Sequence, residues 1–177
     1  GIVGTTGSGK TTLVSLISGL LEPSVGNIKI DRQKLNINNI DAWKNMISYV
    51  PQETIIIDGS ISDNITLGLS EKIENSKIIE ALKYTKLDKF IPYIHSNKMM
   101  GERGIKISGG ERQRVGIARA IYDDKEIIIL DEPFSALDKK TAEAVLSNIK
   151  NLNKFTIIIV THDKFVIPFC DNLITLK

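Results

Sequence analysis

Eight residues near the start of the chain have the spacing of a phosphate-binding loop, Gly-x-x-x-x-Gly-Lys-Thr. They are Gly4, Thr5, Thr6, Gly7, Ser8, Gly9, Lys10 and Thr11. Such a loop joins a buried strand to a helix. Ile2-Val3 is predicted to be the end of that strand. The apolar residues after the loop have a helical spacing, which predicts a helix over Thr11–Leu20. The loop and its flanking patterns therefore predict an α/β fold.

Each part of this loop has a chemical use. Glycines let the backbone wrap closely around a phosphate, and the amides at the start of the helix donate to anionic oxygens. Lys10 is placed to reach the β- and γ-phosphates of a nucleotide, the Thr11 hydroxyl to ligate Mg²⁺, and Thr12 to lie beside it. The alternative is a glycine-rich turn with an exposed lysine, and the strand and helix patterns on either side argue against it.

Length, charge and cysteine content narrow the class of protein. The 177 residues suffice for one domain, with room for an inserted lobe, and the net charge of +2 gives no reason to expect nucleic acid as a partner. The single cysteine, Cys170, excludes an internal disulfide. Only Ile2 and Val3 precede the loop, whereas strands usually run about five or six residues. We therefore expect a piece, truncated at both ends, of a longer polypeptide.

Strand and helix patterns alternate along most of the sequence, which predicts a mostly parallel sheet flanked by helices. Further strands are predicted at Asn27–Ile30, Ile47–Val50, Ile127–Leu130, Phe155–Val160 and Leu173–Leu176, and further helices at Ile40–Met46, Ser60–Leu67, Glu71–Lys86, Glu111–Tyr122, Asp138–Lys150 and Asp163–Phe169. From Gly59 to about Lys106 there is no strong strand signal, so this region is predicted to be an inserted helical lobe, with Ile73, Ile78, Ile79 and Leu82 as candidate inner positions. We divide the chain into a core of residues 1–58 and 123–177 and a helical subdomain of residues 59–122.

Two adjacent acids end the buried strand at Ile127–Leu130. Asp131 is placed to hold Mg²⁺, directly or through water, and Glu132 to polarise an attacking water. An acidic turn that merely caps a strand is the alternative for this pair taken alone. A phosphate-binding loop in the same chain favours the functional interpretation.

Three further segments carry candidate residues. Ser108-Gly109-Gly110-Glu111 precedes a predicted helix and is interpreted either as a second anion site or as a simple helix cap. Gln52 and His162 each follow a strand and could touch a γ-phosphate or its water, although single residues at such positions are more often structural. His95, in the helical lobe, is expected at the surface.

Taken in order, these segments resemble the nucleotide-binding domain of ATP-binding-cassette (ABC) proteins, a RecA-like phosphate-loop fold with an inserted helical subdomain. The matching motifs are the phosphate loop, Tyr49-Val50-Pro51-Gln52, Ile107-Ser108-Gly109-Gly110-Glu111, Asp131-Glu132, Ser135-Ala136-Leu137-Asp138 and His162. The resemblance implies a head-to-tail dimer, with ATP between the phosphate loop of one domain and the signature Ser108–Glu111 of the other. It implies that Gln52 senses Mg²⁺ and the attacking water, that His162 contacts the γ-phosphate, that Asp138 links the two sites, and that Glu132 is the catalytic base.

Two segments are similar to the exporter branch of this family: Gly101-Glu102-Arg103-Gly104 and Asp58–Ile65. That branch implies a membrane-spanning domain on the same polypeptide, with the ATPase on the cytoplasmic face of the membrane. The usual Leu and Gln of the signature are here Ile107 and Glu111, and Pro133-Phe134 and Thr161–Asp163 look more like importer ATPases. The alternatives are an importer-type subunit, a soluble ABC ATPase, and a non-catalytic nucleotide-binding module, which the presence of Glu132 disfavours.

Overall fold

The computed structural model describes residues 1–67, 73–96, 99–101 and 106–177. Seven strands lie in these ranges: β1 Ile2–Gly4, β2 Lys29–Ile30, β3 Gln33–Lys34, β4 Ile47–Val50, β5 Ile127–Asp131, β6 Thr156–Thr161 and β7 Ile174–Leu176. The α-helices are α1 Lys10–Ile17, α2 Ile40–Asn45, α3 Ile61–Thr66, α4 Asn75–Tyr84, α5 Gly109–Asp123 and α6 Lys139–Asn151. Two 3-10 helices cover Asp88–Tyr93 and Lys164–Phe169.

Five strands form one parallel sheet in the order β4-β5-β6-β1-β7. The register aligns Val50 of β4 with Leu130 of β5, and Asp131 of β5 with Val160 of β6. The predicted parallel sheet is thereby confirmed. Because all five strands run in the same direction, the residues that follow β1, β4, β5 and β6 lie along one edge of the sheet, where parallel α/β folds bind their ligands.

The middle of this sheet is buried on both faces. Ile128 and Leu130 point into the larger apolar cluster, which holds side chains from α3–α6, whereas Ile129 points into a smaller one beside α1. All three side chains are essentially inaccessible to solvent. An uninterrupted apolar strand is what such a position requires, because successive side chains face opposite layers.

Helices α3, α4 and α5 pack against one another in the region between β4 and β5. Two of the candidate inner positions of α4, Ile78 and Leu82, are fully buried, and Ile79 packs against the core. The prediction for Ile73 is wrong: this side chain is 45% exposed, because α4 begins only at Asn75 and Ile73 lies before its first turn. Of the predicted helix, residues 71 and 72 lie outside the described ranges, as do residues 102–104 of the exporter-like segment.

The boundaries of two helices differ from the predicted ones, and one strand was not predicted. Helix α1 ends at Ile17, and Leu20, placed inside the predicted helix, is 57% exposed. Helix α5 begins at Gly109 rather than Glu111, because Ser108 is its N-cap. The hairpin of β2 and β3 includes a strand that was not predicted. No helix in the described ranges combines the length and apolarity needed to cross a membrane.

Candidate functional site

The phosphate-binding loop connects β1 to α1 in the way its sequence predicts. Gly7 and Gly9 both have φ of +85°, a left-handed conformation that glycine adopts without strain. Gly9 precedes α1 without a side-chain cap, and the first turn of the helix contains no acidic residue. Amides at this helix start are therefore oriented to attract an anion. Four threonines, at positions 5, 6, 11 and 12, are exposed around the loop.

Lys10 is the first residue of α1, and its side chain turns back over the loop. The Nζ atom donates to the carbonyl oxygens of Gly4 at 2.9 Å and Thr5 at 3.0 Å. The residue is 8% exposed, so its charge sits inside the loop rather than in bulk solvent. An ammonium group held in this way faces the position that the loop would give to a phosphate.

Asp131 ends β5 and is almost completely buried, with 2% exposure. Its Oδ2 accepts a hydrogen bond from the Tyr49 hydroxyl on β4 at 3.2 Å, whereas Oδ1 has no hydrogen-bond partner among the described residues. Burial, reinforced by the neighbouring Asp131 charge, raises the pKa of Tyr49 to about 12, so Tyr49 remains a donor at neutral pH. A buried carboxylate oxygen without a donor suits a cation or the water bound to it.

Glu132 has φ of +48°, the left-handed region that non-glycine residues rarely adopt. Its backbone amide donates to Val160 on β6, which fixes the turn. Oε1 lies 3.0 Å from Nδ1 of His162 and 4.0 Å from Nζ of Lys10, and Oε2 accepts from the Thr161 hydroxyl at 3.2 Å. The carboxylate is thus held between the phosphate loop and the end of β6. Backbone strain of this kind is found disproportionately at functional positions.

The cluster best placed to bind a metal among the described residues is Glu132, His162 and Asp163, whose ligand atoms lie within 4.8 Å of one another. Because Mg²⁺ prefers oxygen ligands, an imidazole in this set does not suit that ion. The short Glu132–His162 distance is instead that of a hydrogen bond between a carboxylate and an imidazole. The hydrogen bond with Glu132, and then its charge, raises the pKa of His162 above its usual value.

The start of α5 is closed by a capping box. The Ser108 hydroxyl accepts from the Glu111 amide at 3.2 Å, and the Glu111 carboxylate accepts from the Ser108 amide at 2.9 Å. Glu111 also pairs with Lys89 from the first 3-10 helix. Burial by itself would raise the pKa of Glu111, but the bonds from Lys89 and Ser108 outweigh it and lower that pKa. The acid that replaces the usual glutamine is therefore neutralised locally.

Gln113, one turn further along α5, was not singled out in the sequence. It is 7% exposed, its Nε2 donates to the Ser135 hydroxyl at 2.7 Å and to the Glu132 carbonyl at 3.4 Å, and its Oε1 accepts from the Ala136 amide at 3.0 Å. Gly110 approaches the same loop so closely that an added methyl group would lie 2.8 Å from the Ala136 carbonyl oxygen. Helix α5 thus fixes the loop that follows Glu132.

The structure brings Lys10, at the start of α1, to the same edge of the sheet as Asp131, Glu132 and His162, which lie at the ends of β5 and β6. Gln52 lies two residues beyond β4 and is exposed. Ser108–Glu111 lie at the start of α5, where Gly109 and Gly110 approach Ala136, and Asp138 ends the loop that contains Ala136. Asp138 caps α6 by accepting from the Thr141 hydroxyl and amide, and these bonds lower its pKa. Sequence reasoning missed the supporting residues Tyr49, Thr161 and Gln113, whose contacts come from neighbouring elements of the fold.

The parallel sheet, the loop between β1 and α1 and the acid pair after β5 define a phosphate-loop nucleoside triphosphatase. The family model described as ABC transporter matches residues 1–135. The chain belongs to the ABC transporter family, and it is an ATP-binding domain of that family, whose members are ATPases.

Known proteins similar to this chain are exporters or are named for transport. The lactococcin-G-processing and transport ATP-binding protein LagD of Lactococcus lactis is 40% identical over 99% of this chain, and a putative export ATP-binding/permease protein of Rickettsia felis is 38% identical over 90%. The solved structure of a bacterial Atm1-family ABC exporter with ATP bound superposes with a TM-score of 0.87 at 31% identity, covering 99% of this chain and 31% of that chain. The chain spans 25% and 28% of the length of the two curated relatives.

Proposed function

We propose that ATP hydrolysis by this chain powers export across a membrane, with Glu132 as the catalytic base. The observation that carries the proposal is the position of the Glu132 carboxylate, 4.0 Å from the Lys10 ammonium and 3.0 Å from the His162 imidazole. A base between a phosphate-binding lysine and a histidine can accept a proton from water beside a γ-phosphate. His162 orients the carboxylate, and Gln52 approaches the same water from the end of β4.

The phosphate loop, residues 4–11, with Thr12 beside it, would hold the nucleotide. Thr11, Gln52 and Asp131 would hold Mg²⁺, and the buried Oδ1 of Asp131, which lacks a donor among the described residues, fits that assignment. When bound, Mg²⁺ supplies charge that compensates the phosphate oxygens. Tyr49 orients Asp131 through its hydrogen bond to Oδ2. These residues bind and orient, and Glu132 moves the proton.

We further propose that two copies of this domain pair head to tail. Ser108, Gly109, Gly110 and Glu111 would then meet the nucleotide held by the partner domain, and Asp138 would link the two sites. Support comes from the start of α5, a corner at which Ser108 is exposed and Gly109 and Gly110 are half-buried beside Ala136. Because Lys89 neutralises Glu111, this corner does not repel the phosphates of ATP.

The export assignment follows from the relatives, which include an export ATP-binding/permease protein and an ABC exporter. It implies a membrane-spanning domain on the same polypeptide and a position on the cytoplasmic face of the membrane. The chain would work as a core of residues 1–58 and 123–177 with a helical subdomain of residues 59–122 that swings as a unit when nucleotide binds. The gene sequence upstream of Gly1 tests this assignment. About six apolar spans are expected there, whereas a short soluble segment would indicate an importer-type subunit or a soluble ABC ATPase.

The catalytic proposal is tested by Glu132→Gln in the complete protein. The variant is expected to bind ATP with wild-type affinity, to lose roughly 10²–10⁴-fold in turnover, and to accumulate as the closed dimer. Glu143→Gln is the matched control, because Glu143 is 43% exposed on α6 and pairs only with Lys139 among the described residues. Wild-type turnover in Glu132→Gln would remove Glu132 from the role of base.

A further inference from the structure

The segment that carries Gln52 contacts the protein interior through Thr54, which is buried, and through Ile56, which is half-buried and packs against the larger apolar cluster. Residues 51–57 form no helix or strand, and Thr54 alone among these seven is buried, with 9% exposure. At the far end, Asn64 of α3 binds both the amide and the carbonyl of Ile57 at 3.0 Å. Thr54 is the nearer of these two residues to Gln52 in sequence, so the position of Gln52 depends on where Thr54 lies.

Thr54 sits against α5 at Gly116. A Cβ added to Gly116 would lie 2.4 Å from Oγ1 and 3.2 Å from Cγ2 of Thr54, and 3.1 Å from Cγ1 of Val50. Alanine at position 116 would favour the helix, since glycine in a helix interior is destabilising relative to alanine. Thr54 thus occupies the space that a methyl group at position 116 would take.

The hydroxyl of Thr54 is not held there by a hydrogen bond. Oγ1 is buried and has no partner among the described residues. The fit is therefore one of size and shape, in which the two γ atoms of a β-branched side chain occupy the hollow at Gly116.

The same helix reaches the loop after Glu132. Gln113, three residues before Gly116, binds the Glu132 carbonyl, the Ser135 hydroxyl and the Ala136 amide. One turn of α5 therefore touches both the segment of Gln52 and the loop of the catalytic acid. A rigid helix that contacts both fixes their relative position.

We propose that Thr54 is a positioning residue. Its side chain packs against α5 at Gly116, and this contact holds Gln52 in line with the site of Glu132. The proposal rests on the proposed role of Gln52 in ATP hydrolysis. A displaced Thr54 would leave the phosphate loop intact but misplace Gln52. The defect would therefore fall on the catalytic step rather than on ATP binding.

A double-mutant cycle in the complete protein tests this contact. Gly116→Ala is expected to lower kcat by roughly tenfold to hundredfold while the KM for ATP changes by less than about twofold. Thr54→Ala removes both γ atoms and so makes room for a methyl group at position 116. The double variant Thr54→Ala/Gly116→Ala is therefore expected to have the same kcat as Thr54→Ala alone. Thr54→Val keeps the γ volume, so it is expected to be silent alone and not to rescue Gly116→Ala.

Hydrogen exchange of residues 52–57 provides a readout that does not depend on turnover. Exchange in this segment is expected to increase in Gly116→Ala and to return to the level of Thr54→Ala in the rescued double variant. Undiminished kcat in Gly116→Ala, or a loss that Thr54→Ala and Thr54→Val rescue equally, would overturn the proposal. If hydrogen exchange follows the expected pattern but Glu132→Gln retains wild-type turnover, the packing of Thr54 against Gly116 is supported. The proposal that Glu132 is the catalytic base is then the one that fails.

Discussion

Nδ1 of His162 lies 3.0 Å from Oε1 of Glu132, so that the residue after β6 and the residue after β5 share a hydrogen bond. The bond stabilises the protonated imidazole and raises the pKa of His162. Desolvation and the charge of Lys10 act in the opposite direction but are smaller. His162 is 55% exposed, and solvent therefore screens the pair.

This pair makes stability depend on pH in a defined direction. Because the pKa of His162 is raised in the folded protein, its contribution is complete below the usual value of 6.5 and is lost as the pH rises through the raised value. The free energy of unfolding of the wild type should exceed that of His162→Gln by less than about 1 kcal/mol at a pH below the usual value, and this difference should be smaller at a pH above the raised value. Urea denaturation at the two pH values measures it. His95→Gln, at an exposed position, is the control, and a gap that widens with pH would contradict the prediction.

Lys10→Ala should weaken ATP binding. The substitution removes an ammonium held beside the carbonyls of Gly4 and Thr5, and a hydrogen bond to a charged group contributes about 1.5–3 kcal/mol. The Kd for ATP should therefore rise by about tenfold or more, as measured by calorimetry. Lys29→Ala, at an exposed position on β2, should leave the Kd unchanged. Equal affinity in wild type and Lys10→Ala would exclude Lys10 from the phosphate site.

Asp131→Asn should raise the Mg²⁺ concentration needed for half-maximal ATP turnover by roughly tenfold or more. The amide keeps the shape of the side chain but removes the charge that the buried Oδ1 and Oδ2 share. A Mg²⁺ titration at fixed ATP measures the change. Asp171→Asn is a suitable control, because its side chain is 85% exposed. An unchanged Mg²⁺ requirement would show that Asp131 has only a structural role.

Gln113→Ala should destabilise the protein. The substitution removes the hydrogen bonds of Gln113 to the Ala136 amide, the Ser135 hydroxyl and the Glu132 carbonyl, and a typical hydrogen bond contributes about 0.5–1.5 kcal/mol net. Because Ala136 and Ser135 are exposed enough for water to replace part of the loss, the expected decrease in the free energy of unfolding is about 1–3 kcal/mol. Chemical denaturation measures it, with Gln33→Ala on the exposed strand β3 as the control. A variant as stable as the wild type would mean that Gln113 does not hold this loop.

The fold was predictable wherever apolar residues follow a clear period. The runs at Ile47–Val50 and Ile127–Leu130 predict strands because a parallel sheet buries both faces of its inner strands. The strand Gln33–Lys34 could not be predicted in this way, since both side chains are exposed and polar. Ile73 misled the prediction because an apolar residue before the first turn of a helix continues the helical period without packing on the core.

The candidate site was predictable only in part. Motif spacing indicates Lys10 at the start of the helix after the phosphate loop and Glu132 after a buried strand, since phosphate chemistry requires those residue types at those places. The hydrogen bond from Tyr49 to Asp131 depends instead on the adjacency of β4 and β5, and that of Gln113 on the packing of α5. Contacts between elements are set by strand order and register, which a single sequence does not contain. The left-handed conformation of Glu132 likewise carries no sequence signal, because glutamate is not a residue that favours it.

The strand order has a consequence for synthesis on the ribosome. Ile2 of β1 pairs with Val160 of β6 and with Ile174 of β7, so β1 lies between two strands that are made much later than it is. Contacts this distant in sequence form late, because the intervening chain must first be ordered. The phosphate loop therefore follows a strand whose two neighbours in the sheet are synthesised after β4 and β5, and we expect the nascent chain to bind nucleotide only once β6 and β7 have been made.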